Sequence, residues 1–198
     1  PALNTMSAAS FAHSVGVIPR EGLGRRARRV AATMTIHGSL FQEFKEKDTQ
    51  DPFSLQNKKL LRIDMRYGEV WARTGSMVAY QGDVRFVNKG SGGIGKMLKA
   101  ATTGEGVKMM QCSGSGELFV ADEASEIQVM YLENDAVSVN GANVLAFSNS
   151  IEWDIQRVGS GMAGMQAGGL YNVVLRGTGY VAVTTDGPPV MLDVTQQA

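Results

Sequence analysis

From Leu60 onward apolar and polar positions alternate in short runs, each closed by Gly, Asn or Asp, and a period of two predicts β-strands rather than helices. The runs are Leu60–Met65, Val70–Ala72, Met77–Tyr80, Val84–Val87, Val107–Cys112, Glu117–Ala121, Ile127–Leu132, Val137–Asn140, Val144–Phe147, Ile151–Ile155, Leu170–Leu175, Tyr180–Thr184 and Val190–Val194. Strands this short and this closely spaced point to an all-β fold of sandwich or barrel kind. Only residues 96–101 (KMLKAA) have a helical composition, and they span under two turns. Ahead of the strands, residues 34–59 form a lead-in, with the polar stretch Glu43–Pro52 between Phe41 and Phe53 predicting a loop.

The strands come in repeating sets. Gly75–Tyr80 followed by Gly82–Phe86 matches Ala142–Phe147 followed by Asn149–Trp153 at a constant offset of 67. Ser113–Gly116, with Val120, Ile127 and Val129, matches Arg176–Gly179, with Val183, Val190 and Leu192, at an offset of 63. The offsets differ because the Gly-rich connector after Phe86 is longer than the one after Trp153. Each expected unit of about 65 residues runs as strand, turn, paired strands with a small-residue corner, Gly-rich crossover, and a hairpin whose turn carries x-Gly-x-Gly. Gly75, Gly114, Gly116, Gly177 and Gly179 mark the structural turns, where the backbone needs positive φ or close approach to a neighbour. Residues 60–198 thus form a β-repeat domain of two units plus the first strand of a third, Val190–Val194, with the third unit expected to be cut short at Ala198.

Net charge changes the picture once it is divided. The total is zero, but residues 1–33 carry five Arg against the single acid Glu21, while residues 60–198 carry ten basic and fourteen acidic side chains. The first 33 residues, rich in Ala, Ser and Arg, have the composition of a targeting segment, and a mis-called start ahead of Met34 or a flexible arm gives the same pattern. The acidic body speaks against nucleic acid as a partner. Apolar residues make up 43% of the chain, enough for a sizeable core, yet no run approaches the length of a membrane span. A single cysteine fits a reducing compartment, and the expected location is the cytoplasm of a bacterium, or the mitochondrion if the head is a genuine targeting segment.

The segments GSMVAYQGDVRF, SGSGELFVAD, VSVNGANVLAFSNSIEWDI and GGLYNVVLRGTGYVAVTTDGPPV, in that order, make the chain resemble the altered inheritance of mitochondria protein 24 family, in the manner of its bacterial members, over roughly residues 60–194. The resemblance implies repeated short β-helix or sandwich-like units related to the tryptophan RNA-binding attenuator protein fold. It also implies a tendency to assemble in rings and, for eukaryotic relatives, a link to mitochondrial integrity.

Candidate chemistry is sparse. Gly90–Lys96 satisfies G-x-x-x-x-G-K, but Met97 follows the Lys where a phosphate loop needs Ser or Thr for its metal, and no βαβ pattern surrounds it. The two histidines, His13 and His37, lie outside the repeats, so neither a Ser–His–acid triad nor a His-based metal site is expected in the body. Cys112, matched by Leu175, is expected to be a core residue. The acids Glu117, Asp122, Glu123 and Glu126 are expected to be solvated loop side chains rather than a paired-carboxylate site. Met109, Met110, Met130 and Met191 are expected to fill the core, whereas Gly92, Gly95, Met162 and Met165 mark Gly-rich loops suited to an interaction. The expectation is a non-enzymatic scaffold or interaction protein without cofactor or metal, assembling with its own copies or with another protein. The alternative is an RNA- or small-ligand-binding module.

Overall fold

The computed structural model describes residues 38–87, 108–157 and 171–192. These form antiparallel sheets, preceded by one short helix, α1, at Ser39–Glu43. The strands are β1 (Phe53–Asn57), β2 (Leu60–Asp64), β3 (Val70–Arg73), β4 (Met77–Gln81), β5 (Val84–Val87), β6 (Met109–Gly114), β7 (Glu117–Val120), β8 (Glu126–Asn140), β9 (Val144–Ser148), β10 (Glu152–Arg157) and β11 (Tyr171–Thr185). One sheet runs β1-β2-β7-β4 and the other β10-β11-β9-β3-β6-β5, with β8 also paired to β11.

Alternation explains the placement. Along β3 the fully buried Val70 and Ala72 alternate with the half-buried Trp71 and Arg73, and along β7 Leu118 and Val120 are buried while Glu117 and Phe119 are only partly so. Two apolar cores result. Leu61, Ile63, Leu118, Val120 and Cys112 belong to the first, and Phe147, Trp153, Ile155, Val173, Leu175 and Val181 to the second. The second is centred on Trp153, whose ring meets Trp71 and Phe147 edge-on with centroids 6.0 Å apart.

Several expectations are corrected. The lead-in contains a strand, β1, whose Phe53 faces Ile63 and whose Leu55 faces Leu61. The predicted pairs Ile127–Leu132 with Val137–Asn140, and Leu170–Leu175 with Tyr180–Thr184, are each one continuous fifteen-residue strand, β8 and β11. Neither x-Gly-x-Gly element turns a hairpin: β6 pairs with β3 and β5, β7 with β2 and β4, and the two lie in different sheets. The backbone groups that a β6–β7 hairpin would use are already engaged by these other neighbours. Of the predicted strand Val190–Val194, residues 190–192 are described and form no strand. They follow Pro188 and Pro189, which supply no backbone donors, and Met191 is 91% exposed instead of filling the core. The helical stretch 96–101 lies outside the described residues.

Candidate functional site

Gly114, Gly116, Gly177 and Gly179 act at places where two chain segments cross. The β4–β5 corner at Gly82–Asp83 passes over the bend Ser115–Gly116, and the Ser115 N–H donates to the Asp83 carbonyl at 2.9 Å. A side chain at Gly114 would run into the Asp83 carbonyl, and one at Gly116 into that of Gln81. Along β11, Gly177 and Gly179 flank a register shift against β8 and pass under the β9–β10 corner, with the Ser150 hydroxyl donating to the Thr178 carbonyl at 2.8 Å. Gly75 turns the chain between β3 and β4 at φ 95° with nothing near its α-carbon face. Gly92, Gly95, Met162, Met165 and the loop Gly90–Lys96 lie outside the described residues.

The acids do not gather. Glu117 pairs with Arg62, Asp122 with Arg73 at 3.1 Å, and Glu126 sits 3.8 Å from Lys58. Among the described residues no group of three His, Cys, Asp or Glu could hold a metal ion. Cys112 has no accessible surface, and burial pushes its thiol pKa up to about 12. A thiol so far from its thiolate is no nucleophile.

The densest polar cluster was missed by sequence reasoning, because its members come from three strands. Asp64 directly faces Glu117 across the β2–β7 ladder, with Arg62 on the diagonal of the same face. Arg62 is only 1% exposed. Its guanidinium donates to Glu117 through Nε at 2.8 Å and Nη2 at 2.5 Å, and through Nη1 to the Thr49 carbonyl at 3.1 Å and the Ser54 hydroxyl at 3.4 Å. Asp64, buried beside it, accepts from the Arg66 backbone N–H at 3.0 Å and from Arg66 Nη2 at 2.5 Å, and so caps the 3-10 turn Met65–Tyr67.

The hydrogen bond from the Arg66 guanidinium, opposed by burial and aided by the Arg66 backbone N–H and the charges of Arg66 and Arg62, holds the Asp64 carboxyl below its ordinary 3.8. A depressed folded-state value means that Asp64 contributes stability above about pH 4, which is lost as pH falls through that lowered value. Urea titrations at pH 6 and pH 3 should therefore show a larger loss of stability for the natural protein than for the Asp64→Asn variant. Equal losses would mean that the carboxylate is not held in this way.

The capped turn sets Tyr67 at the rim of a cleft of about 360 Å³. Phe53 stacks on Tyr180 with centroids 5.3 Å apart, and Tyr131 meets Tyr180 edge-on at 4.8 Å. Ser148, Asn149, Ser150 and Glu69 add polar edges. These polar groups already serve one another and the fold: Asn149 accepts from Trp71 Nε1 at 2.9 Å, Gln111 donates to Glu69 at 2.8 Å, and Ser148 accepts from the Tyr180 N–H at 3.0 Å. The arrangement offers flat apolar surface for stacking and presents no acid–base pair poised for proton transfer.

Comparison with known proteins gives a family match and several similar solved structures. The profile of a family described as mitochondrial biogenesis AIM24 matches residues 53–198. A crystal structure of a protein from Streptococcus pyogenes is similar with a TM-score of 0.53 at 23% identity, a likeness that concerns the fold alone. The match covers 68% of this chain and 63% of that one, so the chain spans less than two thirds of the length of the structure it resembles. No curated protein matches.

Proposed function

The chain belongs to the mitochondrial biogenesis AIM24 family over residues 53–198, and from that premise we propose that it is a non-catalytic β-repeat scaffold that assembles with further copies of itself. The observation that carries the reading is the register of the ladders. Moving β2 to β5 along the chain by 67 residues and β6 and β7 by 63 turns fourteen of the sixteen pairs that these strands form with one another into other observed pairs. Tyr80↔Leu118 becomes Phe147↔Val181, Ile63↔Leu118 becomes Met130↔Val181, Phe86↔Cys112 becomes Trp153↔Leu175, and Val70↔Cys112 becomes Val137↔Leu175. The irregularity of β4 between Met77 and Ala79 corresponds to the slip opposite Val144 and Ala146 in β9.

This supports a duplicated structural unit, with the kinship to the attenuator fold that the sequence resemblance implies. A module that repeats its backbone while varying its ionisable side chains is suited to building surfaces: Arg62 and Glu117 of the first unit stand where the second has Val129 and Tyr180. No described side chain stands out as a shared reactive group. The family description ties the role to mitochondrial biogenesis in eukaryotic relatives. For this chain we place the scaffold in a bacterial cytoplasm, with the mitochondrion as the alternative if residues 1–33 act as a targeting segment.

Light scattering across micromolar concentrations tests the proposal. A mass that is a multiple of 21.2 kDa is expected, and a monomer throughout would overturn it. The aromatic cleft favours a second reading, a module that binds a small flat ligand. Ligand-dependent thermal shifts lost in Tyr180→Ala would support that reading. Tight, salt-steep RNA retention on a filter would instead favour RNA, against the acidic balance of residues 60–198.

A further inference from the structure

Taking the aromatic cleft as a small-ligand site, the second reading above, we infer that its ligand is a flat aromatic cation, which stacks on the tyrosine rings with its positive charge toward Glu69.

The cleft marks a chemical difference between the two units. The offset of 67 carries Asp64 onto Tyr131, and that of 63 carries Glu117 onto Tyr180. In the first unit Asp64 and Glu117 face each other across the ladder and are matched by Arg66 and Arg62. In the second, Tyr131 and Tyr180 face each other in the same register, and Tyr131 is 50% exposed. Tyr67, at the end of the 3-10 turn after β2, adds a third ring and is 57% exposed. Three tyrosines far apart in sequence thus line one cleft, whose volume of about 360 Å³ lies within the range of small-molecule sites.

The rings are held in place by the fold itself. Phe53 lies against Tyr180 with the two planes 9° apart, and the Tyr180 N–H donates to the Ser148 hydroxyl. Asp64 caps the turn that carries Tyr67. A wall ordered in advance accepts a flat molecule without a further loss of side-chain freedom.

Charge then selects among flat molecules. No lysine or arginine is among the described residues that line the cleft, whereas Asp64 and Glu69 both are. The two carboxylates differ. Asp64 is buried between two guanidinium groups, Arg66 at 2.5 Å and Arg62 at 3.7 Å, so its charge is matched where it stands. Glu69 is exposed, and its carboxylate accepts from the Gln111 amide at 2.8 Å, a neutral donor that orients it without cancelling its charge. Its backbone is fixed as well, because the Asn149 N–H donates to the Glu69 carbonyl at 2.9 Å. Aromatic faces are themselves electron-rich and attract cations, so the rings and the Glu69 carboxylate favour the same sign of charge. An anion would meet repulsion from both.

Calorimetric titration of the full chain at pH 8 with three bicyclic probes separates charge from shape. The probes are the cation N-methylquinolinium, the uncharged 4-methylquinoline and the anion 1-naphthoate. The cation is expected to bind about tenfold more tightly than the uncharged probe, and the anion more weakly than either. Glu69→Gln keeps an oxygen for the Gln111 amide and removes the charge, so it is expected to bring the cation down to the affinity of the uncharged probe and to leave the latter unchanged. Tyr131→Ala, at a half-exposed position, is expected to weaken both by a similar factor. If the uncharged or anionic probe binds as tightly as the cation, or the preference for the cation survives Glu69→Gln, the cation assignment is overturned and the small-ligand reading stands. No binding of any probe, or binding that Tyr131→Ala leaves unchanged and that therefore lies outside the cleft, overturns both.

Discussion

Replacing Arg62 with Ala is expected to destabilise the protein by about 3–5 kcal/mol, because the change leaves Asp64 and Glu117 facing each other across a ladder with their shared cation gone. In a domain of this size that corresponds to a fall of roughly 10 °C or more in Tm. The loss comes mainly from the charge left behind, and this separates the prediction from one based on lost packing. Removing both ends should therefore recover stability. The second set of strands shows how: the positions matching Arg62 and Glu117 hold Val129 and Tyr180, which occupy the corresponding ladder without ions. The double variant Arg62→Val with Glu117→Tyr should be more stable than Arg62→Ala, with Asp64 still held by Arg66. Chemical denaturation of the natural protein and the two variants decides it. If the double variant is no better than Arg62→Ala, the network owes its worth to packing instead.

Much of the β architecture can be read from alternation alone, because strands such as β3 and β7 bury one face and leave the other half-covered, and such strands announce their period. Strand β1 carries the same alternation, Phe53 and Leu55 against Ser54 and Gln56, but over only two apolar positions, and the polar lead-in that runs straight into it makes so short a run look like loop. The join within β8 is hidden for a different reason. Glu133-Asn134-Asp135 has the composition of a turn, yet Asn134 takes φ 52°, its N–H finds the Thr178 hydroxyl at 2.9 Å, and the strand continues past a bulge opposite Gly177–Gly179. Local composition cannot distinguish a turn from a bulge that a neighbouring strand stabilises. The same holds for Gly-x-Gly between β6 and β7, where glycine signals close approach of another segment and not reversal of its own. The aromatic cleft draws on Phe53, Tyr67, Tyr131 and Tyr180. Residues that far apart in sequence are brought together by pairing register, which alternation does not specify.

Gly114→Ala is expected to cost at least about 3 kcal/mol or to prevent folding, since backbone strain and a direct clash add at this position. Three glycines with positive φ allow the two causes to be separated. At Gly75, φ is 95° and nothing lies within 4 Å of an added carbon, so Gly75→Ala carries strain alone, about 1–2 kcal/mol. At Gly177, φ is 124° and the Ser150 carbonyl oxygen lies 3.2 Å away, close enough that the corner must give slightly. At Gly114, φ is nearly the same, 126°, but the added carbon meets the Asp83 carbonyl oxygen head-on, with the Val84 α-carbon 3.2 Å away. The atoms in the way are backbone, which the Ser115–Asp83 hydrogen bond and the β5–β6 ladder hold in place, so no side chain can swing aside. Denaturation midpoints should therefore fall in the order Gly75→Ala, Gly177→Ala, Gly114→Ala, with the last step the largest. Since Gly177 and Gly114 share their backbone angle, the gap between those two variants measures the crossing itself. If Gly114→Ala unfolded no more readily than Gly177→Ala, the β4–β5 corner could not lie as close over the Ser115–Gly116 bend as it does here.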